Sequence, residues 1–158
     1  MNQTLFPLEG IVFYVCRPVA HRHMFEMIGH YEIIRDGDVI RVWTSSEFNL
    51  EAAQQYALAM IRMIDQMPPK FGTLVASDSP PILAPDVEVA MHRSALQRAE
   101  RGMVAVAFVT QSLDGIKIAQ AQWNRVYENS GITLEFFHDA EPAMIWLKEK
   151  IDQTSRTV

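Results

Sequence analysis

Small polar side chains follow two apolar runs of the sequence, where hydroxyl and carboxylate groups could bind a ligand or a partner. Ser77, Asp78 and Ser79 follow the run FGTLVA, and Thr110 and Ser112 follow the run MVAVAFV. The carboxyl ends of neighbouring parallel strands meet at one edge of a sheet, where open α/β proteins place their ligands. These five residues predict a polar binding rim, with the alternative that they only cap and close their loops.

Ser79 carries the sharpest chemical hypothesis, because it belongs to an Asp-Ser pair shortly before a predicted helix. Phosphate on a serine at a helix N-terminus is stabilised by free backbone amides and by the helix dipole. Here Pro80 and Pro81 remove two amide donors, and the predicted helix begins only at Pro85. Ser79 is therefore a candidate phosphoacceptor, and a local turn closed by Asp78 or Ser79 is the alternative.

The sequence is rich in methionine, a residue that suits an apolar interior. Nine methionines are many for 158 residues. Flexible methionines fill irregular cores, but together with aromatic rings they also line apolar ligand pockets. Two hypotheses follow, a filled core or an apolar pocket between helices and sheet, and the candidate residues for the pocket are Met60, Met91, Trp123, Tyr127 and Trp146.

Metal, cofactor and catalytic motifs have no support in the sequence. His21 and His23 alternate and could face one side of a strand, and His30 follows them, but no carboxylate or third ligand stands at motif spacing. The single cysteine, Cys16, excludes an intramolecular disulfide and cysteine-rich zinc motifs. The sequence has neither a glycine-rich phosphate loop nor a nucleophile elbow. We therefore predict no metal, no cofactor, no catalytic residue and no enzymatic activity.

Composition and charge restrict the class of protein. The chain has 49% hydrophobic and 21% charged residues, which is typical of one globular domain. Its formal net charge is -5, and its 14 lysines and arginines are scattered, so a nucleic-acid partner is not expected. The apolar run at residues 11–16 is too short to span a bilayer and lacks the flanks of a signal peptide. We expect a cytoplasmic protein without a membrane span.

Two periodicities alternate along the elements that must position these side chains. Asp36-Gly37-Asp38 between short apolar runs predicts a hairpin. Amphipathic helices are predicted after Asn49, from Pro85 and after Asp139, with a further helix between residues 112 and 131. Strands are predicted at residues 71–77, 103–110 and 132–137. This order predicts a mixed, mostly parallel α/β sheet with amphipathic helices and one antiparallel edge strand.

This order of elements, together with three local motifs, resembles the SpoIIAA-like branch of the STAS (sulfate transporter and anti-sigma factor antagonist) domain family. The motifs are the hairpin that runs into EFNLEAAQQY, the segment RGMVAVAFV and the terminal EFFHDAEPAMIWL. The resemblance covers residues 29–152. Residues 1–28 are expected to be an N-terminal extension that forms an extra strand or an arm onto a second subunit, or to be absent from the native product. Residues 153–158 are expected to fray.

The resemblance implies a STAS-like fold and a non-enzymatic regulatory domain of bacterial type that binds an unknown protein partner. In the anti-sigma factor antagonists, a serine within Asp-Ser-x-Gly at the start of the second helix is phosphorylated to switch partner binding. Here Asp78-Ser79 matches the first half of that motif, and Pro80-Pro81 replaces the second half. SEC14-like relatives of the fold imply the alternative, a carrier or sensor of a small apolar ligand. A homodimer is compatible with either function.

Overall fold

A computed structural model describes residues 13–15 and 28–157, and within them it has one sheet of six strands and four helices. The strands are β1 (Phe13–Val15), β2 (Tyr31–Asp36), β3 (Val39–Thr44), β4 (Phe71–Ser77), β5 (Met103–Thr110) and β6 (Thr133–Phe137). The helices are α1 (Leu50–Ile64), α2 (Pro85–Glu100), α3 (Ile116–Val126) and α4 (Ala140–Arg156).

The six strands lie in the sheet in the order of the chain. β2 is antiparallel to its neighbours β1 and β3, whereas β3, β4, β5 and β6 are mutually parallel. Asp36 pairs with Val39, so the turn consists of Gly37 and Asp38, and Gly37 supplies the required positive φ of 62°. The predicted class, a mixed and mostly parallel α/β sheet, is confirmed. The antiparallel strand was predicted at the edge, but β2 lies second from the edge because β1 pairs on its outer side.

The helices divide between the two faces of the sheet. Consecutive parallel strands are neighbours, so right-handed crossovers place α1, α2 and α3 on the same face. These helices and the sheet enclose the larger core, which includes Met60, Phe108 and Trp123. Helix α4 follows the last strand and packs on the opposite face against β4 and β5. The chain thus has two cores separated by the sheet.

The core beneath α4 is built from small and aliphatic side chains in close contact. Ala105 and Ala107 of β5 are fully buried beneath Ala143 and Leu147 of α4. A methyl group added at Gly72 would lie 3.0 Å from Cδ2 of Leu147, so the helix approaches the sheet as closely as a glycine allows. This face leaves little space for any ligand.

Two ends of helices bear on the predictions. Asn49 caps α1 as predicted, because its side chain accepts a hydrogen bond from the Ala52 amide at 3.0 Å. The prediction that residues 153–158 fray is wrong for most of the segment, because α4 continues to Arg156. The hydroxyls of Thr154 and Ser155 donate to the carbonyls four residues earlier, which supports this last turn.

Candidate functional site

The structure brings the five predicted rim residues together at the carboxyl edge of β4 and β5. Ser77 and Thr110 are register partners, and the Ser112 amide donates to the Asp78 carbonyl at 3.4 Å. The Ser77 hydroxyl donates to the Ser79 carbonyl at 2.8 Å, and the Thr110 hydroxyl donates to the Ser112 carbonyl at 3.1 Å. Both hydroxyls therefore close their own loops, and Asp78 is the exposed side chain of the group.

Ser79 is half-buried and lies six residues before Pro85, the first residue of α2. The first turn of α2 already carries Asp86 and Glu88, and the Asp86 carboxylate accepts a hydrogen bond from the Val87 amide at 2.9 Å. A phosphate on Ser79 would add charge to the β4–α2 loop, where acidic side chains already stand, instead of capping the helix. Phosphorylation of Ser79 stays a prediction.

An apolar cleft opens at the same edge of the sheet, between the sheet and helices α1, α2 and α3. Thr44, Ser46 and Pro81 lie at its mouth, and Tyr56 and Tyr127 lie farther in. Its volume is about 30 Å³. A volume of this size encloses only a few non-hydrogen atoms, so a larger ligand would extend out through the mouth of the cleft. The other lining residues are Phe48, Val75, Leu83, Val87, Met91, Phe108 and Trp123.

The mouth of the cleft is held by hydrogen bonds from α3 to the β4–α2 loop. The Gln122 side chain accepts from the Leu83 amide and donates to the Leu83 carbonyl, both at 2.8 Å. The Trp123 indole donates to the Pro81 carbonyl at 2.9 Å. The Trp123 ring also packs on Phe108, with ring centroids 4.6 Å apart. One helix therefore anchors both the loop at the mouth and the aromatic wall.

The predicted pocket residues divide between the two faces of the sheet. Met91, Trp123 and Tyr127 line the cleft together. Met60 is fully buried in the same core and fills space instead of lining the cleft. Trp146 as a pocket residue is wrong, because α4 covers the opposite face and places this ring 5.6 Å from Phe137. Helical periodicity identifies an inward side chain but does not say which face of the sheet its helix covers.

Arg98 of α2 is the unexpected residue beside the cleft. Its side chain is fully enclosed, with the residue only 1% exposed, and its Nε donates to the Ser94 carbonyl at 3.2 Å. The guanidinium lies beside the phenol groups of Tyr56 and Tyr127, and its Cζ is 5.7 Å from the centre of the Tyr127 ring. Its Nη2 has no hydrogen-bond partner among the described residues.

The sequence contained a signal for this arginine. Val87, Met91, Ser94 and Arg98 follow one another at spacings of four, three and four residues, which is the spacing of one helix face. All four are buried in the structure. An arginine that continues an apolar stripe is unusual because buried charges are normally paired. Burial of this charge therefore opposes folding, and packing alone does not explain why an arginine stands in the apolar stripe.

The described residues contain no group of three potential metal ligands. His30 lies within the described part and is exposed, whereas His21, His23 and Cys16 lie outside it. None of the helices in residues 28–157 is long and apolar enough to span a membrane.

Comparison with known proteins gives one structural likeness. No protein-family model and no curated protein matches this chain. A solved structure of an uncharacterised DUF3478-family protein from Shewanella loihica PV-4 is similar over 93% of this chain and 98% of that chain, with 16% identity and a TM-score of 0.46. That protein is described as having a SpoIIAA-like fold.

Proposed function

We propose that this domain is a non-enzymatic, cytoplasmic regulatory module that binds a partner protein at the carboxyl edge of its sheet. The observation that carries the proposal is an apolar patch formed by Ile82, Leu113 and Ile118, which are 45%, 66% and 58% exposed. Ile82 lies against Gly115 at the start of α3, where an added methyl group would be 3.0 Å from its Cδ1. Clustered exposed aliphatic side chains are typical of protein-binding surfaces.

Ser79 stands in the loop that leads to Ile82, so this edge is also where phosphorylation would act. A phosphate adds nearly two negative charges that must be dehydrated when an apolar surface docks beside it. On this proposal Ser79→Asp weakens partner binding, while Ser130→Asp, at the other end of α3, leaves it unchanged. Equal partner affinity of the Ser79→Asp and wild-type proteins would remove the phosphoswitch and leave the docking surface in place.

Affinity capture from native lysate tests the docking surface. The wild-type protein should retain a stoichiometric partner, and Leu113→Ser with Ile118→Ser should release it. Ile145→Ser is a matched control because Ile145 is 56% exposed on α4, which covers the opposite face. Retention of the partner by the double variant, or its loss in the control, would contradict the proposed surface.

A second function is favoured by the aromatic cleft, namely binding of a small ligand between the helices and the sheet. Sites for drug-sized ligands occupy about 300–1,000 Å³, so a cleft of about 30 Å³ suits a far smaller molecule than a lipid. Native mass spectrometry of freshly purified protein tests this function. A retained small molecule in the wild-type protein but not in Trp123→Ala would support it, and retention by both proteins would contradict it.

A further inference from the structure

Building on the second proposed function, we propose that the cleft takes a small organic carboxylate. Its anionic end is held at the inner end of the cleft, beside Tyr56, Tyr127 and Arg98. Its apolar body lies against Phe108 and Trp123.

The charge of Arg98 is the first step. A guanidinium stays protonated in proteins, and a cation removed from water is normally paired with an anion. The titratable groups that interact with Arg98 among the described residues are Tyr56 and Tyr127. Burial raises the pKa of Tyr56 to about 12, against the opposing effect of Arg98, so this phenol is neutral at physiological pH. Among residues 13–15 and 28–157, the buried cation therefore has no anionic partner at this place in the core.

The direction of the hydrogen bonds is the second step. The guanidinium only donates, so a tyrosine that pairs with it does so through its phenol oxygen, and each phenol O–H is then free to donate elsewhere. Tyr56 and Tyr127 both contribute to the lining of the cleft. Arg98 does not itself line the cleft, so its positive charge acts on a ligand there through the two phenols. The inner end of the cleft thus offers donors beside a positive charge.

The chemistry of the walls selects the kind of anion. A carboxylate only accepts hydrogen bonds and forms its strongest ones with charged or polarised donors. The remaining walls of the cleft are rings and aliphatic side chains such as Phe108, Val75 and Met91. These walls cannot replace the hydration shell of phosphate or sulfate, which would have to be stripped on all sides. A molecule with one carboxylate and a short apolar body would match both the hydrogen-bond donors and the apolar walls of the cleft.

Isothermal titration calorimetry with benzoate and its neutral counterpart benzamide tests the proposal. We expect benzoate to bind and to bind at least about tenfold more tightly than benzamide, because the carboxylate makes charge-assisted hydrogen bonds. Equal affinity of the two probes would contradict the proposal that the cleft takes a carboxylate, but it would not contradict the small-ligand function. Absence of binding by both probes at millimolar concentration would overturn both.

Variants of the arginine and of a tyrosine locate the effect. Arg98→Met should weaken benzoate about tenfold or more and leave benzamide unchanged. Arg101→Met is the matched control, since Arg101 follows the same helix but pairs with Asp65 at the surface. Tyr127→Phe keeps the ring and removes the phenol, so it should weaken benzoate in the same sense even if Arg98→Met fails to fold. Wild-type benzoate affinity in either Arg98→Met or Tyr127→Phe would overturn the proposal.

Discussion

The two faces of the sheet are formed by the same strands but are packed differently. Under α4, a glycine and alanines such as Ala105 let Leu147 approach the sheet closely, and the buried residues of this core are apolar. Under α1, α2 and α3, large rings such as Trp123 leave a cleft, and Arg98 is buried without a carboxylate partner among the described residues. The α4 face shows that close apolar packing alone is sufficient to hold a helix on this sheet.

The difference shows where the fold departs from the packing that stability alone favours. Protein interiors are close-packed, and an unpaired buried cation opposes folding. The α4 face observes both rules, whereas the α1–α3 face departs from both within one small region. Residues that raise the free energy of the folded state are expected at functional sites. The comparison therefore favours the cleft face as the place where this domain binds.

The largest expected effect is on the closely packed face. Leu147→Ala removes a fully buried side chain and leaves a cavity beside Gly72, so unfolding free energy should fall by about 2–5 kcal/mol. Urea unfolding followed by circular dichroism measures the change. Benzoate affinity should stay at the wild-type value under conditions where the variant is folded. A loss below about 1 kcal/mol would mean that this face is packed less closely than the contacts indicate.

Added methyl groups should lower the free energy of unfolding on the α4 face but not on the face with the cleft. Ala105→Val adds bulk beneath α4, where no space exists, and should cost about 1–3 kcal/mol. Val75→Ile adds one methylene beside the cleft and should leave stability unchanged or raise it by up to about 1 kcal/mol. The same urea titration measures both variants. Equal losses would show that the cleft has no usable space.

Arg98→Met tests the cost of the buried charge. Methionine keeps much of the volume and removes the charge, and replacement of buried ionic groups by apolar ones is often neutral or stabilising. We expect the unfolding free energy to stay within about 1 kcal/mol of the wild-type value or to rise. A loss of about 3 kcal/mol or more would instead identify Arg98 as a structural link between α1, α2 and α3.

The smallest effect concerns the surface of the cleft face. Arg125 donates to both carboxylate oxygens of Glu88, at 2.6 and 3.0 Å, and these hydrogen bonds lower the pKa of Glu88 below its usual 4.5. A lowered folded-state pKa contributes stability that is present above pH 4.5 and is lost as pH falls through the lowered value. Exposure makes the contribution small. The stability gap between wild-type and Glu88→Gln proteins should therefore narrow below pH 4.5, and a constant gap would contradict this.

The sequence predicts the strands and helices better than it predicts which face of the sheet each helix covers. Alternation around Gly37 and the unbroken apolar run of β5 give strands directly, because these patterns reflect local geometry and burial. The placement of Trp146 failed because the face that α4 covers depends on where the chain goes after its last strand. Residue type alone does not predict the burial of Arg98, because arginine is usually a surface residue, although its spacing from Val87 places it on the buried stripe.

Trp123 and Trp146 report on the two faces of the sheet separately, so Trp146 is a reference for binding in the cleft. Trp123 lines the cleft and its indole N–H is held at the mouth by Pro81, whereas Trp146 lies on the α4 face. In a ¹H–¹⁵N spectrum titrated with benzoate, the indole resonance of Trp123 should shift and saturate while that of Trp146 stays in place. An unmoved Trp123 resonance, or an equal shift of Trp146, would contradict a binding site on the α1–α3 face.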